Sequence, residues 1–202
     1  NSAIITTIAP IFIFIISVFL LKEKITKIKY LGVFIGFIGT LTLILLNEKS
    51  IANAPNINLG NFYFFINSLS YAIYFVLVKP LTKKYSMITI MKWLFLFSII
   101  INIPFGLLEF TEINWGVISK NSLIKISYVV FCTTFLVYLL NLYALKNLKA
   151  STVGMFIYLQ PVIGILFAIY RGADKLTVAD ITSVILVFAG VYLVSKRSTQ
   201  IT

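Results

Sequence analysis

The chain has 202 residues, 60% of them hydrophobic and only 11% charged, where soluble domains average roughly 45–50% and about 25%; with so few charges to cover a water-facing surface, the bilayer is the solvent that fits. Its net charge of +11 lies in short clusters between apolar runs, not along one helix face or a tail, which argues against a nucleic-acid partner. With no histidine and one cysteine, Cys132, it has no internal disulfide, no cysteine metal site and no histidine chemistry, so no metal or cofactor is expected.

A helix crossing the hydrocarbon needs about 20 apolar residues, and seven runs qualify. The first, Ala3–Leu21, carries Thr6 and Thr7 before a mid-run Pro10, and is followed by Lys22, Glu23, Lys24, Lys27 and Lys29. The second, Tyr30–Leu46, carries Gly32, Gly36 and Gly39, and the link after it holds Glu48 and Lys49. In the third, Leu59–Val78, Asn67, Ser70, Tyr71 and Tyr74 fall on one helical face; Lys79, Lys83 and Lys84 follow. The fourth, Ile88–Leu108, has Lys92 beside Trp93 one turn inside, Ser98 and Asn102 one turn apart, and Pro104 near its end. Glu109, Glu112, Lys120 and Lys125 lead to the fifth, Ile126–Leu145, where Thr134, Tyr138 and Asn141 share a face. Past Lys146 and Lys149, the sixth run, Thr152–Tyr170, contains Gln160 and Pro161. Arg171, Asp174 and Lys175 precede the seventh, Val178–Ser195, which carries Gly190 and ends at Lys196 and Arg197.

The basic residues concentrate in alternate links: the first, third, fifth and the tail. The acids concentrate in the others. Lysine and arginine accumulate on the cytoplasmic side of short loops, so a multi-pass protein of the cytoplasmic membrane with a cytoplasmic C-terminus is expected.

The sequence also repeats. At an offset of 151 residues Pro10 falls on Pro161, Glu23 on Asp174, Lys24 on Lys175, Thr26 on Thr177, Val33 on Val184, Phe37 on Phe188 and Gly39 on Gly190. The polar turn KEKIT matches ADKLT without a gap. An odd number of spans separates the two turns, which places the copies on opposite membrane faces. That is an inverted repeat, a frequent architecture of secondary transporters. The chain opens on Asn1 and runs straight into apolar sequence. Three further helices are therefore expected upstream, making seven visible helices of an all-α, ten-helix membrane bundle built from two inverted five-helix repeats. Residues 1–47 would be the last two helices of the first repeat, 48–57 an external linker and 58–197 the complete second repeat.

The Pro10 span followed by LKEKIT, together with LQPVIG…ADKLT…AGVYLV, resembles the ends of the two halves of the drug/metabolite transporter superfamily, EamA-like family. GNFYFFINSLSYAIYFVLVKPL resembles that family's first helix of the second half, and FLVYLLNLYALKNLKAS its third. The resemblance implies a ten-helix inverted-repeat bundle that moves metabolites, amino acids or drugs, often outward, by alternating access at a central cavity. In the second turn the family's usual Gly-Glu reads Gly172-Ala173-Asp174, with an inserted alanine and a shorter acid.

Polar side chains within spans turn toward the bundle or a cavity. Asn67, Ser70, Tyr71 and Tyr74 are expected to line the substrate path, with Thr134, Tyr138, Asn141 and Gln160 as further candidates. The competing role is hydrogen bonding between helices; four polar groups on one face tip the balance toward a path for the Asn67–Tyr74 strip. Pro10 and Pro161 are expected to kink their helices. Gly32, Gly36, Gly39 and Gly190 are expected to pack helices closely, within the chain or against a second copy in a homodimer. Glu23 and Asp174 read as turn residues, capping the helix that follows or gating by pairing with a base. No Asp, Glu or His lies mid-span, which leaves no acid cluster for a membrane-embedded enzyme. A non-transporting membrane scaffold is the other alternative. The expected partners are the lipid bilayer and a small-molecule substrate.

Overall fold

A computed structural model describes residues 7–23, 25–47, 57–113, 116, 118–172 and 177–196. Among the described residues there are seven helices and no strand. They are α1 (Ala9–Leu21), α2 (Lys27–Asn47), α3 (Ile57–Lys84), α4 (Met87–Glu112), α5 (Lys120–Asn147), α6 (Ala150–Tyr170) and α7 (Val178–Ser195). Six are long and apolar enough to cross a membrane; α1, with 13 residues, is the shorter one. Each corresponds to one of the seven apolar runs, and the protein is an all-helical, multi-pass membrane protein.

The helices overrun the apolar runs where charged residues can follow water. α3 continues through Lys79 and Pro80 to Lys84, and α4 continues to Glu112. Lys79 to Lys84 are therefore helical and not a loop. Pro104 lies inside α4, well short of its end. Pro10 stands in the first turn of α1, where its missing N–H costs no helical bond; it opens the helix and does not kink it midway. Pro161 does disturb its helix. The turn before it, Phe156–Tyr158, tightens to 3₁₀, as a residue without a donor for the Ile157 carbonyl allows.

Two helix ends depart from regular geometry. α1 stops at Lys22, whose φ of 49° is left-handed and whose N–H closes on the Ser17 carbonyl. α7 opens on a reciprocal cap: Thr177 Oγ1 accepts from the Asp180 N–H, and the Asp180 carboxylate accepts from the Thr177 N–H.

The chain forms two compact units, residues 1–77 with 148–202, and residues 78–147. In the first, α2 and α7 run antiparallel with their backbones in contact. A Cβ added at Gly190 would sit 2.6 Å from both the Gly32 carbonyl oxygen and the Gly36 nitrogen. One added at Gly39 would sit 2.9 Å from the Ser183 carbonyl oxygen and the Val187 nitrogen. Gly32, Gly36 and Gly39 are thus packing residues within the chain. The contact is reciprocal under the 151-residue offset, which carries Gly39 to Gly190, Gly32 to Ser183 and Gly36 to Val187. Phe14, Val33, Leu43, Met155, Tyr158, Val187 and Val194 close around it as the buried core. Gly154 gives α1 the same closeness to α6, since a Cβ there would meet Ile13 at 2.8 Å.

Replacing Gly190 with Ala should cost about 1–3 kcal/mol as the helices are pushed apart. Gly164→Ala, a site with open space around it, should leave stability unchanged or slightly raised. Thermal unfolding of the detergent-purified protein measures both; a Gly190→Ala midpoint equal to wild type would contradict the close crossing.

Candidate functional site

The first unit holds the strip on α3. Asn67 and Ser70 are exposed and Tyr71 and Tyr74 half-buried, while Ser68, Ala72, Phe75 and Val76 on the adjoining face are buried. The Tyr71 ring lies 6.1 Å from Tyr74 and 5.6 Å from Phe75. These tilted ring contacts hold the two tyrosines side by side, with the Tyr74 hydroxyl oxygen buried. Large apolar residues flank it: Phe62 to Ile66, Ile73 and Leu77 are all exposed. A face that offers amide and hydroxyl groups amid such neighbours is poorly matched to acyl chains, because each unsatisfied polar group in hydrocarbon costs several kcal/mol.

The second unit holds Thr134, Tyr138 and Asn141 on α5, all half-buried. Its middle, Val129–Leu136, is π-helical. Thr133 Oγ1 and Thr134 Oγ1 both donate to the Val129 carbonyl, at 2.8 and 3.1 Å. Two adjacent hydroxyls converging on one carbonyl are a cause for the wider turn. The Thr134 hydroxyl proton is therefore used within its own helix, and only its oxygen lone pairs face outward. Tyr138 packs at 5.6 Å on Phe95 of α4. Lys79 donates to the Leu145 carbonyl near the C-terminal end of α5, where a cation meets the negative end of the helix dipole. Ser98 and Asn102 bond to each other within α4, with Asn102 Nδ2 donating to the Ser98 carbonyl at 2.7 Å. Lys92 lies 6.0 Å over the Trp93 ring.

Gln160 is exposed next to Pro161. The 3₁₀ turn before it carries Tyr158, which is 1% exposed, and a Cβ at Gly36 would meet the Tyr158 ring at 3.1 Å.

Glu23 does not cap the helix that follows it. Its carboxylate reaches across the unit to α6: Oε1 accepts from the Ala150 N–H at 2.9 Å and Oε2 accepts from the Ser151 hydroxyl at 2.5 Å. Both groups belong to the first turn of α6, where the helix dipole favours an anion. Lys29, 6% exposed, lies within electrostatic reach of Glu23 and Lys149. The partner of Glu23 is 127 residues away in sequence, and nothing local announces it. Asp174, its counterpart in the repeat, lies outside the described residues, as do Lys24, Thr6 and most of the 48–57 link.

Among the described residues, no group of three or more His, Cys, Asp or Glu side chains gathers to hold a metal. The chemistry on offer is that of neutral hydrogen-bonding and aromatic groups in membrane-crossing helices. Residues 58–196 match the model of the EamA-like transporter family. Similar proteins include an uncharacterized transporter of Archaeoglobus fulgidus, 28% identical over 196 residues, covering 97% of this chain and 67% of the relative. The uncharacterized transporter YetK of Bacillus subtilis is 23% identical over 200 residues, covering 99% of this chain and 61% of the relative. The chain spans about two thirds of the length of these relatives. A crystal structure shares the fold at a TM-score of 0.76 and 15% identity, covering 96% of this chain and 65% of that one. The chain is a polytopic helical membrane protein. It belongs to the EamA-like transporter family.

Removing the long-range cap by Glu23→Ala should destabilise the protein by about 1–3 kcal/mol. Ser151→Ala should cost less, since the Ala150 N–H keeps its acceptor. In the double variant the two losses should not add. A denaturation series on the four proteins measures this, and strict additivity would mean that the pair does not interact.

Proposed function

We propose that this protein is a secondary transporter that exports a small metabolite, amino acid or drug across the cytoplasmic membrane by alternating access, with its C-terminus in the cytoplasm. The observation that carries this is the polar strip Asn67, Ser70, Tyr71 and Tyr74 on one face of a membrane-crossing helix, with Asn67 and Ser70 exposed, Tyr71 and Tyr74 half-buried and Phe75 against the Tyr71 ring. The strip contacts the substrate: tyrosine rings stack on it, and the amide and hydroxyls bond to it. Thr134, Tyr138, Asn141 and Gln160 add further polar contacts along the path. Residues 1–47 supply the last two helices of a first five-helix repeat, 48–57 the external linker and 58–197 the second repeat. The reciprocal crossing of Gly39 with residues 183 and 187, and of Gly190 with residues 32 and 36, supports the inverted repeat. It pairs two repeat-equivalent helices in antiparallel fashion, as inversion requires. The relatives carrying the name transporter support the activity.

Tyr71→Ala and Tyr74→Ala should each lower export at least tenfold while membrane abundance stays at the wild-type level. The measurement is efflux from cells preloaded with a panel of amino acids, metabolites and cationic dyes. Loss of abundance in step with export would assign the tyrosines to packing instead. For orientation, Lys83→Cys should react with an impermeant maleimide only in inside-out vesicles, and Lys120→Cys only in intact cells, both in a Cys132→Ala background. The reverse pattern would overturn the cytoplasmic C-terminus.

A further inference from the structure

α1 and α2 enclose a groove of about 490 Å³ that the transport reading leaves unused. Ile11, Ile15 and Phe19 line it from α1, and Tyr30, Phe34 and Phe37 line it from α2. It is open along its length: Phe19 is 79% exposed and Phe34 61%. Its two walls are regular helical stripes, and a base lies near the end of each. On α2, Lys27, Tyr30, Phe34 and Phe37 follow one another at intervals of three and four residues, hence on one face. On α1, Ile11, Ile15 and Val18 share a face in the same way, and Lys22 stands just past the end of the helix in a left-handed turn. The two lysines flank the short turn between the helices, at one end of the groove, and both are exposed. Two other charges near that turn are engaged elsewhere. The Glu23 carboxylate is held by Ala150 and Ser151, and Lys29 is buried.

We propose that this groove is a binding site for one anionic phospholipid, with an acyl chain laid between α1 and α2 and the phosphate held by Lys22 and Lys27. Two features select this occupant. The walls are apolar and aromatic, while the turn between the helices carries two exposed lysines, which together are the polarity pattern of an anionic amphiphile. The length also matches: α2 rises about 15 Å from Lys27 to Phe37, half of the roughly 30 Å hydrocarbon core and hence one leaflet deep. A partner helix would satisfy the apolar walls and leave the two ammonium groups without a counter-charge. Tyr30, held edge-on against Phe14 at 5.0 Å, stands at the level where the chain passes into the headgroup region, a position favoured by tyrosine. With the C-terminus in the cytoplasm, this end faces the cytoplasmic leaflet, where anionic lipids attract basic juxtamembrane residues.

The test uses the full-length protein in neutral detergent. Dioleoyl phosphatidylglycerol should raise the unfolding midpoint more than dioleoyl phosphatidylcholine does. The Lys22→Asn, Lys27→Gln double variant should lose that preference with an unchanged midpoint in detergent alone. If the variant proves unstable, Phe34→Trp in the otherwise native protein decides. Its fluorescence should be quenched more strongly by phosphatidylglycerol with brominated chains than by the brominated choline lipid at equal mole fraction. Equal responses to the two lipids, or a preference that survives loss of both lysines, would overturn the proposal. So would an equal effect from glycerol phosphate without chains, which would make this an anion site and not a lipid site. Disulfide capture of Phe34→Cys by a second copy or by another helix of the full-length protein would overturn it too, because the groove would then be filled by protein.

Discussion

The fold of the first unit hangs on the place where α2 and α7 touch backbone to backbone. In a bilayer there is no hydrophobic drive to bring two apolar helices together, since lipid tails are as apolar as leucine. What holds them is the dispersion gained when peptide backbones approach, and that gain requires Cβ atoms to be missing. Gly190 removes one on α7, and Gly32 and Gly39 remove two on α2; Gly36 offers its backbone to Gly190 and leaves room for Met155 and Tyr158 of α6. A methyl group at Gly190 would overlap peptide atoms of the opposite helix, which have no rotamer to escape into. The surrounding core of valines and Tyr158 therefore closes on a geometry already set by the glycines.

The α1–α2 turn inherits its position from that crossing. With α2 held against α7, the reversal at Lys22 and Glu23 is carried to the start of α6. There the carboxylate meets the N–H and hydroxyl groups that a helix N-terminus leaves unsatisfied. Glutamate has the reach to place both oxygens, one on Ala150 and one on Ser151. This links the turn within the first pair of helices to the start of the last pair, through a bond as local in space as it is remote in sequence.

Much of this was legible from residues alone, for physical reasons. The bilayer sets a length of about 20 residues on each helix, so seven apolar runs became seven helices. Gly32, Gly36, Gly39 and Gly190 meet neighbouring helices closely, whereas Gly106 and Gly164, equally interior to helices, face open space, so their clustering and not glycine alone carried the signal. Helix ends were less legible, because hydropathy drops at the first lysine while hydrogen bonding continues into the headgroup region. Thus α3 reaches Lys84 and α5 begins at Lys120. The π segment was invisible, since it depends on where Thr133 and Thr134 send their protons and not on any breaker residue. The partner of Glu23 was invisible for a different reason: capping is read from the next three residues, and here the capped helix starts on the far side of four others.

The carboxylates bear on what such a transporter can recognise. Glu23 is committed to α6, and Asp180 to its own cap with Thr177. Glu109 and Glu112 stand exposed at the end of α4, and Glu48 and Asp174 belong to links between spans. Within the spans, this leaves recognition on the proposed path to neutral groups: the Asn67 amide, the Ser70 hydroxyl and the adjacent Tyr71 and Tyr74. Neutral donors and acceptors can bind a substrate whose own charges are few or internally paired, and aromatic faces favour one with a flat or cationic part. A substrate carrying a net negative charge would find no matched cation along the strip, since the basic residues cluster toward the membrane interfaces. On the proposed path, the cost of stripping water from a carboxylate that gains no partner is one that an uncharged, zwitterionic or weakly cationic molecule avoids.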